Sequence, residues 1–284
     1  MILSRISLLV CTVWGLVSCN SNSDSKPFAQ SAKIKETHEP NGTRKVMHQV
    51  DGLLHGRTIV YQPNGAIGAI YYFRRDSLNG TQYRFYPSGK LMMWEQARNG
   101  QLEGNSYKFY ESGHLAMIRH TVGGKRSGRY LEFYDTPHGQ IRVYSQLVLV
   151  DGKEHDNGYI FYDSLGRVQD RWGFLRLNAN HDTITLGQTL TLRLQIMFPK
   201  EKHVLASVYG YDSLYRVTRP QERVAVLGDN HEVTLNIEPP QRGMTEVRGY
   251  VADYRADRPL KANKSNSSIT QERRIYFSYP YYVR

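Results

Sequence analysis

The histidines are the first side chains in this sequence that could do chemistry, because imidazole is a common metal ligand. The chain has ten of them. The nearest groupings are His48 with His55, His114 with His120, and His231 beside Glu232. None has the H-E-x-x-H or H-x-H spacing that directs two ligands at one metal ion. We therefore expect no metal site and no cofactor.

Carboxylates are the second candidates. Glu95, Glu103 and Glu111 could supply the acidic pair that glycoside hydrolysis requires. They fall at turn and edge positions of the pattern described below, where a solvated carboxylate needs no special role. The sequence also contains no nucleophile elbow, phosphate loop or dinucleotide fingerprint. We therefore expect no enzyme, with a hydrolase acting on envelope glycan as the alternative.

The N-terminus has the pattern of an export signal. Arg5 precedes an apolar run from Ile6 to Val17, which is shorter than the roughly 20 residues of a membrane span. The run ends in LVSC at residues 16–19, which resembles the lipobox of bacterial lipoproteins. That resemblance implies a signal peptide over 1–18 and a lipid, including palmitate, on Cys19. An ordinary signal that contains a cysteine is the alternative.

The resemblance to lipoproteins also implies a location. The chain would be anchored by lipid in a bacterial cell envelope. Asn20 lacks the acidic character that retains some lipoproteins in the inner membrane, so the outer membrane is the expected site. Residues 19–40 are polar and without periodicity, which predicts a flexible tether.

The cysteine count and the charge distribution exclude further classes of function. Cys11 and Cys19 are the only cysteines, so the mature chain has no thiol pair for a disulfide or for catalysis. The net charge is +11, but the basic residues are dispersed in doublets such as Arg74-Arg75. No basic stripe is present, so no nucleic-acid partner is expected. Direct binding to anionic lipid stays open as a further alternative.

A glycine period organises the first half of the chain. Glycines at 56, 80, 104 and 128 recur every 24 residues, and a second series at 65, 89, 113, 139 and 166 closes the same segments. Within each segment apolar and polar residues alternate, as Tyr83 and Phe85 do with Gln82 and Arg84. This pattern predicts one β-hairpin per repeat, with the aromatic column buried and the Arg84 column facing solvent.

The repeated unit G-x-x-Y-x-F-Y-x-x-G-x-L stands at residues 80–91 and 104–115. It resembles the bacterial variant of the MORN repeat, and the likeness covers residues 41 to about 171. The first and fifth units lack the F-Y pair, and an insertion at 145–157 breaks the period. The resemblance implies an elongated, single-layer antiparallel sheet over 41–172 that binds partners or acts as a spacer.

Residues 173–284 have no such period. They contain short β-rich runs such as Thr183–Phe198, in which Leu190, Leu192 and Leu194 alternate with polar residues. The stretches DTITLGQTLTL and G-x-x-x-V-R-G-Y-V-A-D-Y resemble the Ig-like modules of bacterial envelope proteins. An all-β chain ending in an Ig-like β-sandwich is therefore expected, although the periodicity also permits other sandwich topologies.

The predicted function is that of a non-enzymatic envelope lipoprotein, a binding or scaffold module for a protein or glycan partner. The predicted contact surface is a tyrosine column that alternates to the face opposite Phe85, with two basic residues beside it. It consists of Tyr86, Tyr110, Tyr134, Arg84 and Lys108. The open edges of such a sheet could also pair with a second copy, so the oligomeric state stays open.

The tripeptide D-S-L occurs at residues 76–78, 163–165 and 212–214. It resembles the Asp-(Ser/Thr)-aliphatic acceptor of O-glycosylation in some bacterial periplasms. The resemblance makes Ser77, Ser164 and Ser213 candidate glycosylation sites. The alternative is that Asp and Ser recur because both favour turns.

Overall fold

The computed structural model describes residues 32–219, 224–256 and 269–284. The predicted signal peptide, Cys19 and the tether up to residue 31 lie outside the described residues. The described parts form strands joined by turns and contain no helix, which confirms the all-β prediction. In this part of the chain no helix has the length and apolarity that crossing a bilayer takes.

Thirteen strands precede residue 180. They are β1 (Ala32–His38), β2 (Arg44–Val50), β3 (Leu53–Tyr61), β4 (Ile67–Arg74), β5 (Ser77–Leu78), β6 (Gly80–Phe85), β7 (Leu91–Arg98), β8 (Gln101–Phe109), β9 (Leu115–Val122), β10 (Lys125–Phe133), β11 (Ile141–Val150), β12 (Lys153–Tyr162) and β13 (Val168–Ala179). The others are β14 (Thr183–Ile184), β15 (Leu190–Phe198), β16 (His203–Val208), β17 (Val224–Gly228), β18 (Glu232–Ile237), β19 (Gly243–Ala256) and β20 (Ile269–Val283).

The strands form two sheets. The long sheet has 15 strands, ordered β1-β2-β3-β4-β6-β7-β8-β9-β10-β11-β12-β13-β15-β18, with the short β5 paired to β4. The pairs along this order are antiparallel, so the predicted succession of hairpins is confirmed. The smaller sheet has five strands, ordered β14-β20-β19-β16-β17.

Glycine opens each repeat for a conformational reason. Gly104 has φ +90°, and the side chain of Gln96 on the preceding strand lies over it, with Oε1 2.8 Å from where a Cβ would stand. Only glycine adopts this backbone at low cost. Gly56, Gly80 and Gly128 also have positive φ, between 85° and 108°, so the 24-residue spacing follows from one local geometry repeated.

The strand register assigns side chains to the two faces of the long sheet. On one face an apolar column crosses the central strands, with Trp94 stacked on Tyr107 at 4.5 Å between ring centroids. The opposite face carries what we call the polar column, in which each residue is the cross-strand partner of the next. Its members are Gln82, Glu95, Ser106, Arg119, Tyr130, Ser145, Tyr159 and Trp172.

The predicted burial of these faces is right for Arg84 and Lys108, which are exposed, but wrong for their neighbours. Tyr83 and Tyr107 are half-buried, whereas Gln82 and Glu95 of the polar column are 3% exposed and Ser106 is 1% exposed. Neighbours on the same sheet can cover a short polar side chain completely when its hydrogen bonds are met. The Gln82 amide meets them locally, since its Oε1 accepts from the Tyr72 N–H at 2.9 Å and its Nε2 donates to the Gly80 carbonyl at 3.0 Å.

The end of the long sheet and the smaller sheet together form a sandwich. Leu190, Leu192 and Leu194 of β15 are fully buried, as their alternation predicts, and they belong to one apolar cluster with Val251 of β19 and Ile275 of β20. This is the largest core of the described residues, and its apolar burial is the main source of stability.

We call the part of the long sheet from β1 to β13 the repeat sheet. It shares strand β13 with the sandwich, and this strand runs through the predicted boundary at 172/173. Gly173 and Phe174 have φ +79° and +58° there. A Cβ on Gly173 would stand 2.7 Å from the Asn157 carbonyl oxygen, so the close approach of β12 requires glycine. Phe174 is held in its unusual backbone by ring contacts with Tyr144 at 5.2 Å and Phe198 at 6.2 Å.

Part of the expected tether is a strand. Residues 32–38 form β1, which pairs in register with β2 from Ala32↔Val50 to His38↔Arg44. β1 lies at the edge of the sheet, and its side chains are mostly exposed. An edge strand held by its backbone needs no apolar alternation, which is why the sequence pattern did not predict it.

Candidate functional site

The three tyrosines of the predicted partner surface bond to the next repeat. Each phenol donates a hydrogen bond to a main-chain carbonyl of the following hairpin. The pairs are Tyr86 to Phe109 at 2.8 Å, Tyr110 to Phe133 at 2.8 Å and Tyr134 to Tyr162 at 2.9 Å. Burial, followed by the nearby Glu111 charge, raises the pKa of Tyr86. The recurrence of tyrosine is therefore accounted for by a clamp between repeats.

The two basic residues of that surface have different surroundings. Arg84 approaches the buried Glu95, with Nη2 3.5 Å from Oε2, and Arg119 pairs with the same carboxylate from the other side. Lys108 occupies the equivalent place one repeat later and is exposed between Met93 and Met117. Arg84 is thus paired with the polar column, and Lys108 is exposed as well.

The other sequence candidates are dispersed. Glu95 is held by its two arginines, whereas Glu103 accepts the Gly123 N–H at 2.8 Å. His114 contacts Asp135 at 2.8 Å through Nδ1. Within residues 32–219, 224–256 and 269–284, no three His, Cys, Asp or Glu side chains converge as metal ligands would.

Two of the D-S-L segments form the same turn. The Asp163 Oδ1 accepts from the Leu165 and Arg167 N–H groups at 2.9 Å each, and its Oδ2 accepts from Arg167 Nε at 2.8 Å. The turn at 212–216 repeats these bonds at 2.8, 3.0 and 2.7 Å. The aspartate therefore has a structural role at both places. The candidate serines are all exposed, namely Ser77, Ser164 and Ser213.

A cleft lies where β12 and β13 of the long sheet meet β20 of the smaller sheet. Its cavity of about 720 Å³ falls within the range of about 300–1,000 Å³ that is usual for ligand sites. The residues that line it include Glu154, Asp156, Tyr159, Trp172, Lys200 and Arg273. We call this cavity the cleft.

The insertion that breaks the repeat period positions the cleft. The register of β11 on β12 shifts at Gln146/Leu147, a β-bulge that leaves Asn157 without a partner on β11. Its side chain instead bonds the backbone of β20, donating to the Tyr276 carbonyl at 2.6 Å and accepting from the Tyr276 N–H at 2.7 Å. His155 Nε2 donates to the Arg274 carbonyl at 2.8 Å. These bonds fasten the repeat sheet to the smaller sheet beneath the cleft.

Most charges of the cleft are paired within the protein. Glu154 bonds Arg126, with Oε2 2.7 Å from Nη2, and this hydrogen bond lowers the pKa of the Glu154 carboxyl. Asp170 accepts from Lys200 Nζ at 3.1 Å and from the Tyr159 hydroxyl at 3.0 Å, and the Lys200 bond is the main cause of its lowered pKa. Both carboxyls are therefore anionic at neutral pH.

Three polar groups of the cleft have capacity left for a ligand. The buried Nε1 of Trp172 and the buried Nη1 of Arg273 have no hydrogen-bond partner among the described residues. Asp156 accepts the Ser145 hydroxyl at 2.9 Å, and the remaining lone pairs of its carboxylate can accept more. Two unused donors are therefore buried among the residues that line the cleft, together with an acceptor.

A second cavity of about 350 Å³ adjoins the cleft and shares Asp156 and Tyr159 with it. Tyr130, Phe161 and Arg142 also line it. Burial, followed by the hydrogen bond to Glu132, raises the pKa of Tyr130 to about 12, so this phenol stays neutral. We call the two cavities together the groove. It runs over the faces of β10 to β13, about 14 Å at the usual strand spacing.

The groove combines paired charges with aromatic rings. A glycosidase needs a general acid whose pKa is raised. Two carboxyls beside the cleft have a perturbed pKa, Glu154 and Asp170. In both, hydrogen bonds from a cationic partner lower the pKa instead. Aromatic rings line the groove, with Tyr159 4.9 Å from Phe161 and 6.4 Å from Trp172 between centroids.

The residues that line the groove were not among the site residues predicted from the sequence. Asp156 and Tyr159 lie at or just beyond the end of the 145–157 insertion, so the break in the period was the one signal that pointed to them. Trp172 stood at a predicted domain end, and Arg273 lies more than 100 residues further on. Comparison of the sequence with protein-family models and with curated proteins found no match.

Proposed function

We propose that this chain is a non-enzymatic binding module of a bacterial cell envelope, anchored through lipid on Cys19, which holds a glycan or protein partner in the groove. One observation carries the proposal. The Trp172 indole N–H and an Arg273 nitrogen are buried at the cleft without partners. A buried unpaired polar group costs about 1–3 kcal/mol, and a ligand that displaces a neighbouring side chain of the cleft and supplies acceptors to these two donors would recover that cost.

The repeats serve in this proposal as a spacer. β1 carries the N-terminal end of the described chain, where the lipid anchor would be attached. Ten strand spacings separate β1 from β12 in the sheet order, roughly 48 Å at about 4.8 Å each. We propose that the membrane is the outer membrane and that the repeats separate the groove from the N-terminal edge of the sheet by this length.

Photocrosslinking tests the binding function and its location. Three variants of the full chain, each with p-benzoylphenylalanine at one position, are compared in cells. The substitutions are Tyr159→p-benzoylphenylalanine in the groove, Tyr110→p-benzoylphenylalanine in the tyrosine column and Arg176→p-benzoylphenylalanine at an exposed residue of β13. An adduct at position 159 and none at position 176 is expected. An adduct at position 110 alone would move the contact to the predicted tyrosine surface. The absence of adducts at both 159 and 110 would reject the binding function.

Separate experiments test the lipid anchor and the two alternative functions, direct lipid binding and glycan hydrolysis. Cys19→Ala should give a chain without lipid, so its intact mass should lack the lipid that the native protein carries. Salt-sensitive binding of the Cys19→Ala protein to anionic liposomes would instead favour direct lipid recognition. Release of reducing ends from envelope glycan would favour the hydrolase.

A further inference from the structure

We infer that the ligand of the groove is a glycan of two or more uncharged pyranose units, neutral or N-acetylated, lying across β10 to β13. This inference rests on the proposed binding function and specifies its ligand class.

Charge balance argues for an uncharged ligand. The cleft is lined by three acidic and three basic side chains: Glu154, Asp156, Glu272, Lys200, Arg273 and Arg274. The adjoining cavity is lined by two of each: Glu132, Asp156, Arg126 and Arg142. Each cavity therefore sums to zero with histidine neutral, although the whole chain has a net charge of +11. A site selected for an anionic or cationic ligand would carry an excess of the opposite charge.

The unused hydrogen-bonding groups argue for a ligand that both donates and accepts. Trp172 Nε1 and Arg273 Nη1 can only donate, and the Asp156 carboxylate can only accept. Sugar hydroxyls do both at adjacent ring positions, and an N-acetyl group offers a carbonyl and an N–H. The groove also presents aromatic surface from Tyr159, Phe161 and Tyr130, which can pack against the C–H face of a pyranose ring.

Strand pairing argues against a peptide added to the sheet. A peptide that binds as an extra strand needs an unpaired backbone edge. The groove lies on the faces of β10 to β13, and each of these strands is paired on both sides in the sheet order. β20 also lines the cleft and pairs with β14 only at Tyr282 and Val283, but His155 and Asn157 bond its Arg274 carbonyl and both backbone groups of Tyr276. These bonds occupy the backbone groups that an added strand would use there, which favours recognition through side chains. This favours a ligand whose own polar groups point outward all around it.

The length of the groove argues for a chain of sugars. The two cavities share Asp156 and Tyr159, so a ligand passing these residues enters both. The span of about 14 Å from β10 to β13 exceeds a single pyranose ring. A monosaccharide would satisfy the cleft donors and leave the cavity at Tyr130 and Phe161 empty.

Titration calorimetry of the full chain in detergent tests the inference. The probes are N-acetylglucosamine oligomers and β-linked glucose oligomers of one, two, four and six units, followed by an array of neutral, N-acetylated and acidic glycans. The affinity for at least one uncharged series should rise about tenfold or more from one unit to four. Arg273→Gln should weaken binding of the tetramer about 10- to 100-fold through loss of a charged hydrogen bond.

Arg176→Gln is the control variant for folding, and Phe161→Ala tests whether the ligand extends into the second cavity. Arg176→Gln makes the same chemical change at an exposed residue of β13 that lines neither cavity, and it should leave the affinity unchanged. Phe161→Ala alters a 42% exposed side chain of the second cavity only, so it should weaken binding of the tetramer and spare the monomer.

Binding of acidic glycans alone, or of no glycan in the array, would overturn the inference. Equal affinities of Arg273→Gln and wild type would also overturn it. A protein crosslinked at position 159 with no glycan bound would mean that the ligand class is wrong while the binding function stands. No adduct and no glycan would reject both.

Discussion

Asn157→Ala should destabilise the protein strongly, because this side chain joins the long sheet to the smaller sheet. The side chain is 7% exposed and takes the place of a neighbouring strand for β20. It satisfies both backbone groups of Tyr276, the carbonyl at 2.6 Å and the N–H at 2.7 Å. Alanine would leave both groups buried and unpaired, at about 1–3 kcal/mol each, so the expected loss in free energy of unfolding is roughly 2–5 kcal/mol.

The measurement is urea denaturation of wild type and variant, with the linear extrapolation made at a common m-value. Asn180→Ala is the matched control. Asn180 also bonds backbone groups, accepting from the Thr191 N–H at 2.9 Å and donating to the Thr189 carbonyl at 3.4 Å, but it is exposed. Water can replace its bonds, so its loss should stay at or below about 1 kcal/mol.

Amide hydrogen exchange adds a local readout. Because Asn157 shields the Tyr276 N–H, exchange at this amide should accelerate in Asn157→Ala more than exchange in the core strand β15. If Asn157→Ala and Asn180→Ala destabilised the protein equally, the reasoning that this contact fastens the two sheets would be refuted. Unchanged exchange at Tyr276 would refute it as well.

Three further predictions concern the clamp, a charge pair and the serines. Tyr110→Phe removes the hydroxyl that bonds the Phe133 carbonyl and should cost about 1 kcal/mol in urea denaturation, while Tyr72→Phe at a more exposed ring should cost less. The pKa of Glu154 is lowered in the folded state by Arg126, so its stabilising effect is present above the unfolded value of 4.5 and is lost as the pH falls through the folded value. The stability difference between wild type and Glu154→Gln should therefore shrink in acid, and a difference that grows would contradict the assignment. Glycosylation at Ser77, Ser164 and Ser213 predicts added hexose mass in the native protein relative to a cytoplasmically produced form, and equal masses would dismiss it.

The hairpin repeats could be predicted from the sequence because their causes are local. Gly104 and its equivalents need a positive φ under an overlying side chain, and Gly89 closes a turn by donating to the Tyr86 carbonyl at 2.8 Å. Each requirement involves residues close in the chain. The alternation of Leu190, Leu192 and Leu194 likewise marked the buried face of β15 because one side of that strand meets the apolar core.

The burial of the polar column and the groove could not be predicted in the same way. Glu95 is buried because Arg84 and Arg119 approach it from two other strands, and no alternation within β7 encodes this. Asn157 and Tyr276 are 119 residues apart. A contact at that separation leaves no periodic trace in a single sequence, so Trp172 and Arg273 could not be brought together before the structure was known.

The irregular repeat is where a site can arise in this architecture. In the regular units each hairpin contacts its two neighbours. The same geometry is repeated in each unit, with glycines at the positive-φ positions and tyrosines that bond to the next unit. Such an array has the same surface everywhere and favours no position for a ligand. The insertion before Gly158 changes this, because the bulge at Asn157 turns a side chain toward β20 and the kink at Gly173 and Phe174 redirects β13. Asp156 and Trp172, which line the cleft, are the residues next to these two departures from regularity. It follows that the number of regular repeats can set the distance of the groove from the N-terminal edge without altering the residues that line it.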